Sequence, residues 1–363
     1  MPGPSPRRFL PVLALAACAT LPAPTGAADL PVHVLDNGTV RATVTAAIGG
    51  RLLSFALRGQ PNFLLLDAAA GDPAAPVDAA GDNVPYFGHE VWVGPQSEWW
   101  VHQDANPQRA AARAAWPPDP WLNLSRYEVE ASGPAAVTLR GPASPVSGVA
   151  LRKRYALVVG RPDTLRLDAR ATNRRATGVA WDLWFNTRVP ADTHVYVPVA
   201  HAGDVRAVPA QADRPAPRYR VDAGILALDV PAHGAASAAT SDAAGGAPKG
   251  KMFLQPAAGW IAAFRGDQAL LIRFDHQPRA AIHPEQGQVE LYQDGGDIGA
   301  DAGVLELEVH APYRKLAPGA AMDAHELWTI LPYRGAATPA AHLAFLRAHA
   351  GQAGLRMPAM HDK

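Results

Sequence analysis

TLRLDARAT, residues 164–172, decides the fold class of this chain. Leu165, Leu167, Ala169 and Ala171 fall on one side of an extended backbone, and Arg166, Asp168 and Arg170 on the other. That period of two is the signature of a half-buried strand. Outward from this run, the same alternation recurs at residues 151–159, 179–189, 224–230, 260–264, 269–274, 288–293 and 304–310, each short and bounded by Gly, Pro, Asp or Asn. Many short strands at such spacing predict an antiparallel sandwich or barrel. One helix is predicted near the end: Thr338 and Pro339 open it, and Leu343, Phe345 and Leu346 form its apolar stripe. Residues 68–83, 207–218 and 233–251 read as loops rich in Ala, Gly, Asp or Pro. Neither an internal repeat nor a composition break divides the chain, so residues 30–335 are expected to form one domain, with 336–363 as the helix and tail.

Residues 1–28 read as an export signal. Arg7 and Arg8 supply the basic start, and a short apolar run follows, too short to span a bilayer. Leu15-Ala16-Ala17-Cys18 reads as a lipobox with Cys18 as the lipid-bearing residue; cleavage after Ala27 or Ala28 is the alternative. Either way the expected location is the periplasm or the outer-membrane surface, with any membrane contact through the lipid alone. Cys18 is the only cysteine, so the domain folds without a disulfide. Lys plus Arg and Asp plus Glu both number 33. A balanced charge argues against nucleic acid and against electrostatic membrane binding.

Familiar catalytic signatures are missing. There is no phosphate-cradling glycine loop, no dinucleotide fingerprint, no paired-histidine zinc motif and no nucleophile elbow. The thirteen histidines show no metal-ligand spacing between neighbours, so neither a metal nor another cofactor is expected. Three constellations remain. Five of the nine tryptophans (Trp92, Trp99, Trp100, Trp116 and Trp121) crowd into thirty residues beside His89, Glu90, Gln96, Glu98 and His102. Such a loop-built aromatic platform suits sugars, whose C–H faces stack on flat rings. In VAWDLWFNTR, residues 179–188, Asp182, Trp184, Asn186 and Arg188 share one face of a predicted strand. In VLELEVHAP, residues 304–312, Glu306, Glu308 and His310 share another, about 7 Å apart in succession. A row of like charges raises the pKa of one member and prepares an acid/base group. Each constellation also has a plain structural alternative: a tryptophan cap on the end of a sandwich, or a solvated strand face.

The order of the pieces carries a resemblance. IGGRLLSFALRGQPNFLLL (residues 48–66) resembles the early strand pair of galactose-mutarotase-like domains of the aldose 1-epimerase superfamily, where a Gly-Gly-Arg turn leads into a hairpin. FGHEVWVGPQ (87–96) and Trp-Pro-Pro-Asp-Pro (116–120) look like segments of an uncharacterised bacterial subgroup. Trp184-Phe185-Asn186 sits where the epimerases have Tyr-Phe-Asn, and residues 305–322 resemble the late strand and its Leu-x-Pro-Gly turn. The resemblance covers most of residues 32–332. It implies an all-β antiparallel supersandwich, with a sugar-sized groove and a short C-terminal helix.

It also implies roles. An epimerase Glu deprotonates the anomeric hydroxyl and a His protonates the ring oxygen. The Glu carries over to Glu306, with Glu308 as the register-shifted alternative, but the His position is Asp182 here. His89 or Asp182 is therefore the expected partner acid. Trp92, Trp184, Asn186, Arg188, Glu90, Gln96, Trp100, Trp116 and Glu308 are the expected sugar contacts. Two further functions stand beside mutarotation: a non-catalytic glycan-binding lipoprotein or enzyme partner, and a polysaccharide lyase or hydrolase recruiting Tyr292 and Arg188.

Overall fold

The computed structural model describes residues 30–67, 75–230, 247–295 and 303–358. The expected signal segment and Cys18 lie outside these residues, as do parts of the predicted loops 68–83 and 233–251. The alternating runs become strands of two stacked antiparallel sheets. The first sheet runs Val32–Asp36, Val40–Thr45, Arg51–Leu57, His89–Gly94, Val179–Pro190, Val304–His310, Val289–Asp294, Lys249–Leu254 and Val205–Pro209, with the short Arg314–Leu316 pairing the start of Val179–Pro190. The second runs Tyr219–Asp222, Ile225–Leu228, His194–Pro198, Trp260–Arg265, Gln268–Phe274, Ala321–Pro332, Thr164–Asn173, Val149–Leu157, Ala136–Ala143 and Glu128–Ser132. The all-β expectation holds.

Leu165, Leu167, Ala169 and Ala171 are buried as their alternation requires, packing into the main core between the sheets. Hydrophobic burial on this scale replaces the disulfides the chain lacks. One expectation about pairing is corrected. The stretch after the Gly49-Gly50 turn supplies a single strand, Arg51–Leu57, rather than a hairpin ending at Leu66. Its partners are Val40–Thr45 and, through Leu52, His89. Leu66 makes only an isolated bridge to Phe87. Two of the predicted loops also carry strand: Val205–Pro209 runs into residues 207–218 and Lys249–Leu254 opens inside 233–251. Gly49 has φ +62°, and a Cβ there would meet Asn123 O at 2.2 Å, so the turn requires glycine.

The predicted helix spans Pro339–Ala353. Thr338 caps it, accepting from the Ala341 N–H, and Gly354 ends it in the left-handed region. Leu343 and Leu346 are buried against a second core on the far side of the second sheet, with Tyr196, Phe264 and Tyr333. No described helix is long and apolar enough to cross a membrane.

The strand Val179–Pro190 positions the site. Leu183, Phe185 and Val189 point into the main core. Asp182, Trp184, Asn186 and Arg188 point the other way and are buried too, so the strand is covered on both faces.

Candidate functional site

Directly opposed residues of antiparallel strands project from the same face. Register therefore assembles the site. Arg188 lies opposite Glu306, Asn186 opposite Glu308 and Trp184 opposite His310. Glu90 lies opposite Asn186 and Trp92 opposite Trp184. Glu290 lies opposite Glu308, and Tyr292 opposite both Glu306 and Lys251. The two polar rows expected from sequence thus sit side by side on one sheet face, joined by a third row that the sequence did not reveal.

Arg188 organises one end. Its guanidinium bonds the Glu90 carboxylate, donates from Nε to Glu306 Oε1 at 2.8 Å, and rests 4.7 Å over the Trp92 ring. Glu90 is held from its other side by Arg51 at 2.6 Å, which also reaches Asn123 Oδ1 at 2.6 Å. A buried carboxylate between two guanidiniums meets the condition that buried charges be paired. Burial alone would raise the Glu306 carboxyl, but Arg188, with help from Glu308 and Lys251, outweighs it and holds Glu306 low, hence ionised. Glu306 keeps 16% of its side-chain surface exposed, whereas Glu90 and Glu308 keep 3% and 1%.

Lys251 organises the middle. Its Nζ lies 2.6 Å from Glu290 and 2.7 Å from Glu308, and 4.5 Å over the Trp184 ring. Lys251 and His310 outweigh the burial of Glu290 and hold it at about 2. Glu308 goes the opposite way: burial lifts it, and Glu306 and Glu290 on either side add to the lift against Lys251. The row of carboxyls thus leaves its middle member with the proton.

His310 closes the far end. Nδ1 lies 3.1 Å from Asp182 Oδ2 and 2.8 Å from the Gln286 side-chain amide. Nε2 lies 3.5 Å from Glu290. Burial would lower this imidazole, but Glu290 and Asp182 raise it to about 9. Among the described residues Glu290, Glu308 and His310 form a set able to hold a metal ion, with one ligand atom from each within 4.8 Å of the others.

The tryptophan block behaves differently from an open platform. Trp99 stacks on Trp184 at 5.6 Å, and Trp92 meets both edge-on at 5.1 and 5.5 Å. All three are buried. Trp116 caps Trp92 at 6.5 Å and is the exposed ring of the group, at 49%. Trp100 is wholly buried, donating to Pro117 O at 2.7 Å beneath the Arg109 guanidinium. Gln96 donates to Ala115 O at 2.7 Å. Both hold the loop together, and Trp100 has no exposed surface to offer a ligand, which corrects its assignment as a sugar contact. Glu98 pairs with His102 at 2.6 Å beside a cavity of about 490 Å³ that Trp181, Tyr313 and Lys315 also line.

His89 is the principal correction. Its neighbour Glu90 faces the polar rows, so His89 faces the core. Its Nδ1 meets Thr187 Oγ1 at 2.9 Å, and its ring packs against Phe185 and edge-on to Trp328 at 5.0 Å. Burial holds it well below the usual histidine range, so it is neutral. It cannot be the partner acid of Glu306. The imidazole on the polar face is His310, bonded to the carboxyl that stands where the resemblance expects a histidine.

Three comparisons bear on the chain. The sequence pattern of a domain of unknown function, DUF4380, matches residues 32–331. No curated protein sequence matches. Among solved structures, a candidate aldose 1-epimerase from Klebsiella pneumoniae superposes with a TM-score of 0.52 at 12% identity, over 90% of this chain and 84% of that one. A protein from Synechocystis sp. PCC 6803 gives 0.50 at 13%, over 84% and 96%. A candidate aldose 1-epimerase from Escherichia coli K12 gives 0.46 at 16%, over 83% and 99%. The fold is galactose-mutarotase-like.

Proposed function

The chain belongs to the DUF4380 family, and on that footing we propose that the polar face of its mutarotase-like sheet binds a neutral carbohydrate. The observation that carries the reading is the convergence of Glu306, Arg188, Asn186 and Glu308 beside Trp92 and Trp184 on one sheet face. Carboxylate, guanidinium and amide groups at strand spacing match the vicinal hydroxyls of a sugar, and the adjoining rings suit its C–H faces. The buried carboxylates Glu90, Asp182 and Glu290 and the half-buried Glu306 are matched by Arg51, Arg188, Lys251 and His310, which favours an uncharged ligand. Glu306, ionised at the rim, is the first acceptor a ligand meets. The name of the Klebsiella structure lends the sugar class further support.

Binding without turnover is the primary reading. Epimerase chemistry needs an imidazole beside the base. His310 stands four residues from Glu306 on the same strand, about 13 Å away, and its ring lies 4.8 Å from the Trp184 ring in a buried position. The lyase reading fares worse: burial and nearby acidic groups raise Tyr292, its candidate base, to about 12. We also assign residues 1–28 as an export signal and the envelope as the location.

Intrinsic tryptophan fluorescence titrated with a panel of neutral mono- and oligosaccharides tests the binding. Saturable change in the wild type, weakened at least tenfold in Glu306→Gln, is expected, together with no mutarotation above buffer by polarimetry. No saturation with any member of the panel overturns the proposal. Mutarotation that Glu306→Gln abolishes would establish the epimerase reading in its place.

A further inference from the structure

We propose that Glu290, Glu308 and His310 form a divalent transition-metal site that Lys251 guards. This does not depend on the carbohydrate reading. Glu290 and Glu308 oppose each other across paired strands, and His310 follows Glu308 by two residues on the same face. One atom from each lies within 4.8 Å of the others, close to the span of ligands around a single ion. The donors sit on sheet strands rather than loops, so their spacing is fixed by backbone pairing.

Two observations independent of the acidic cluster point to a cation. His310 Nε2 is buried with no hydrogen bond, 3.5 Å from Glu290 Oε1, and belongs to the cluster. The other nitrogen of His310, Nδ1, faces the Asp182 carboxylate at 3.1 Å. The carboxylate behind the imidazole fixes the ring's orientation, and an ion binding at Nε2 displaces the proton there, as at metal-bound histidines. One imidazole with two carboxylates suits manganese, iron, cobalt or zinc better than calcium or magnesium, which favour oxygen alone.

Lys251 supplies the competing charge. Its ammonium bridges Glu290 and Glu308, while its side chain is 18% exposed. The triad is rigid and the lysine stem is flexible, so an entering ion displaces the ammonium outward. The Trp184 ring, now under that ammonium, loses its cover in the same movement.

The test uses full-length protein stripped with chelator and titrated with Co²⁺ by visible absorption, with Zn²⁺ and Mn²⁺ followed by calorimetry. One Co²⁺ per chain is expected, with ligand-field bands of mixed nitrogen and oxygen coordination. Lys251→Met removes the competing charge and keeps the apolar stem; it should bind at least tenfold more tightly. His310→Gln should lose the bands and at least a hundredfold in affinity. Circular dichroism confirms that each variant is folded, and if His310→Gln is not, the gain in Lys251→Met decides. The proposal is overturned if the wild type binds no Co²⁺ at millimolar concentration, if only Lys251→Met binds, if Lys251→Met gains nothing, or if folded His310→Gln binds as the wild type does, which marks the ion as held by surface histidines.

Discussion

Glu326 sits in the main core with no cation bonded to it among the described residues, and its replacement by glutamine tests how the sandwich tolerates that charge. Its carboxylate accepts from Trp328 Nε1 at 2.8 Å, and both side chains are buried. Burial raises the carboxyl from 4.5 to about 8, with the Trp328 hydrogen bond opposing only part of the rise. A folded-state pKa above the unfolded one stabilises the fold fully below about 4.5, and that contribution is lost as the pH climbs through about 8. Between the two values each pH unit costs about 1.4 kcal/mol. Raising the pH from 5 to 7 should therefore take about 3 kcal/mol from the wild type relative to Glu326→Gln, whose amide keeps the acceptor for Trp328 and does not titrate. Urea unfolding of both proteins at pH 5, 6, 7 and 8 gives the difference directly, and other titrating groups cancel in it. A gap that stays constant across this range would refute the reasoning, since it would mean that Glu326 is already ionised in the fold and paid for by water or a shifted cation.

Arg188→Met should destabilise by about 3–5 kcal/mol, because it strips a buried partner from both Glu90 and Glu306; guanidinium unfolding measures it. Gly49→Ala should cost at least about 2 kcal/mol in the same assay, since a Cβ there meets Asn123 O at 2.2 Å from a left-handed backbone. His342, on the buried face of the C-terminal helix and bonded to Tyr196 at 2.7 Å, is lowered to about 4 by burial and by His194. Its depressed value means a stability contribution present above about 6.5 and lost as the pH falls through about 4. Limited proteolysis should accordingly clip residues beyond Tyr333 faster at pH 4 than at pH 7, and the rate ratio should shrink in His342→Gln.

The fold was legible because its signal is local. Alternation in residues 164–172, 179–189 and 304–310 depends on each strand alone, and the strands formed there. The loops misread at 207–218 and 233–251 contain the edge strand Val205–Pro209 and the start of its neighbour Lys249–Leu254, where Pro, Gly and Lys suppress the apolar alternation. The supposed hairpin after Gly50 failed for a different reason. Whether Arg51–Leu57 pairs with its successor in sequence or with His89–Gly94 is a long-range choice that no local pattern encodes.

The site was half legible, and parity explains which half. Asp182, Trp184, Asn186 and Arg188 alternate, as do Glu306, Glu308 and His310, so each row was readable as a face. Joining the rows needed register, which places Arg188 opposite Glu306 and brings Glu290 and Lys251 in from two further strands. The error over His89 was avoidable on the same rule. If Trp92 belongs to the polar face of an extended segment, Glu90 joins it and His89 cannot, because three positions along a strand reverse the side. The same parity puts an imidazole on the polar face in the row that already holds two glutamates. There His310, two positions beyond Glu308, meets Asp182 from the neighbouring strand. The acid expected from a neighbouring strand, His89 or Asp182, thus gives way to an imidazole four residues along Glu306's own strand, which keeps an imidazole on the polar face while holding it away from Glu306. That displacement is the physical reason to expect binding, rather than turnover, at this face.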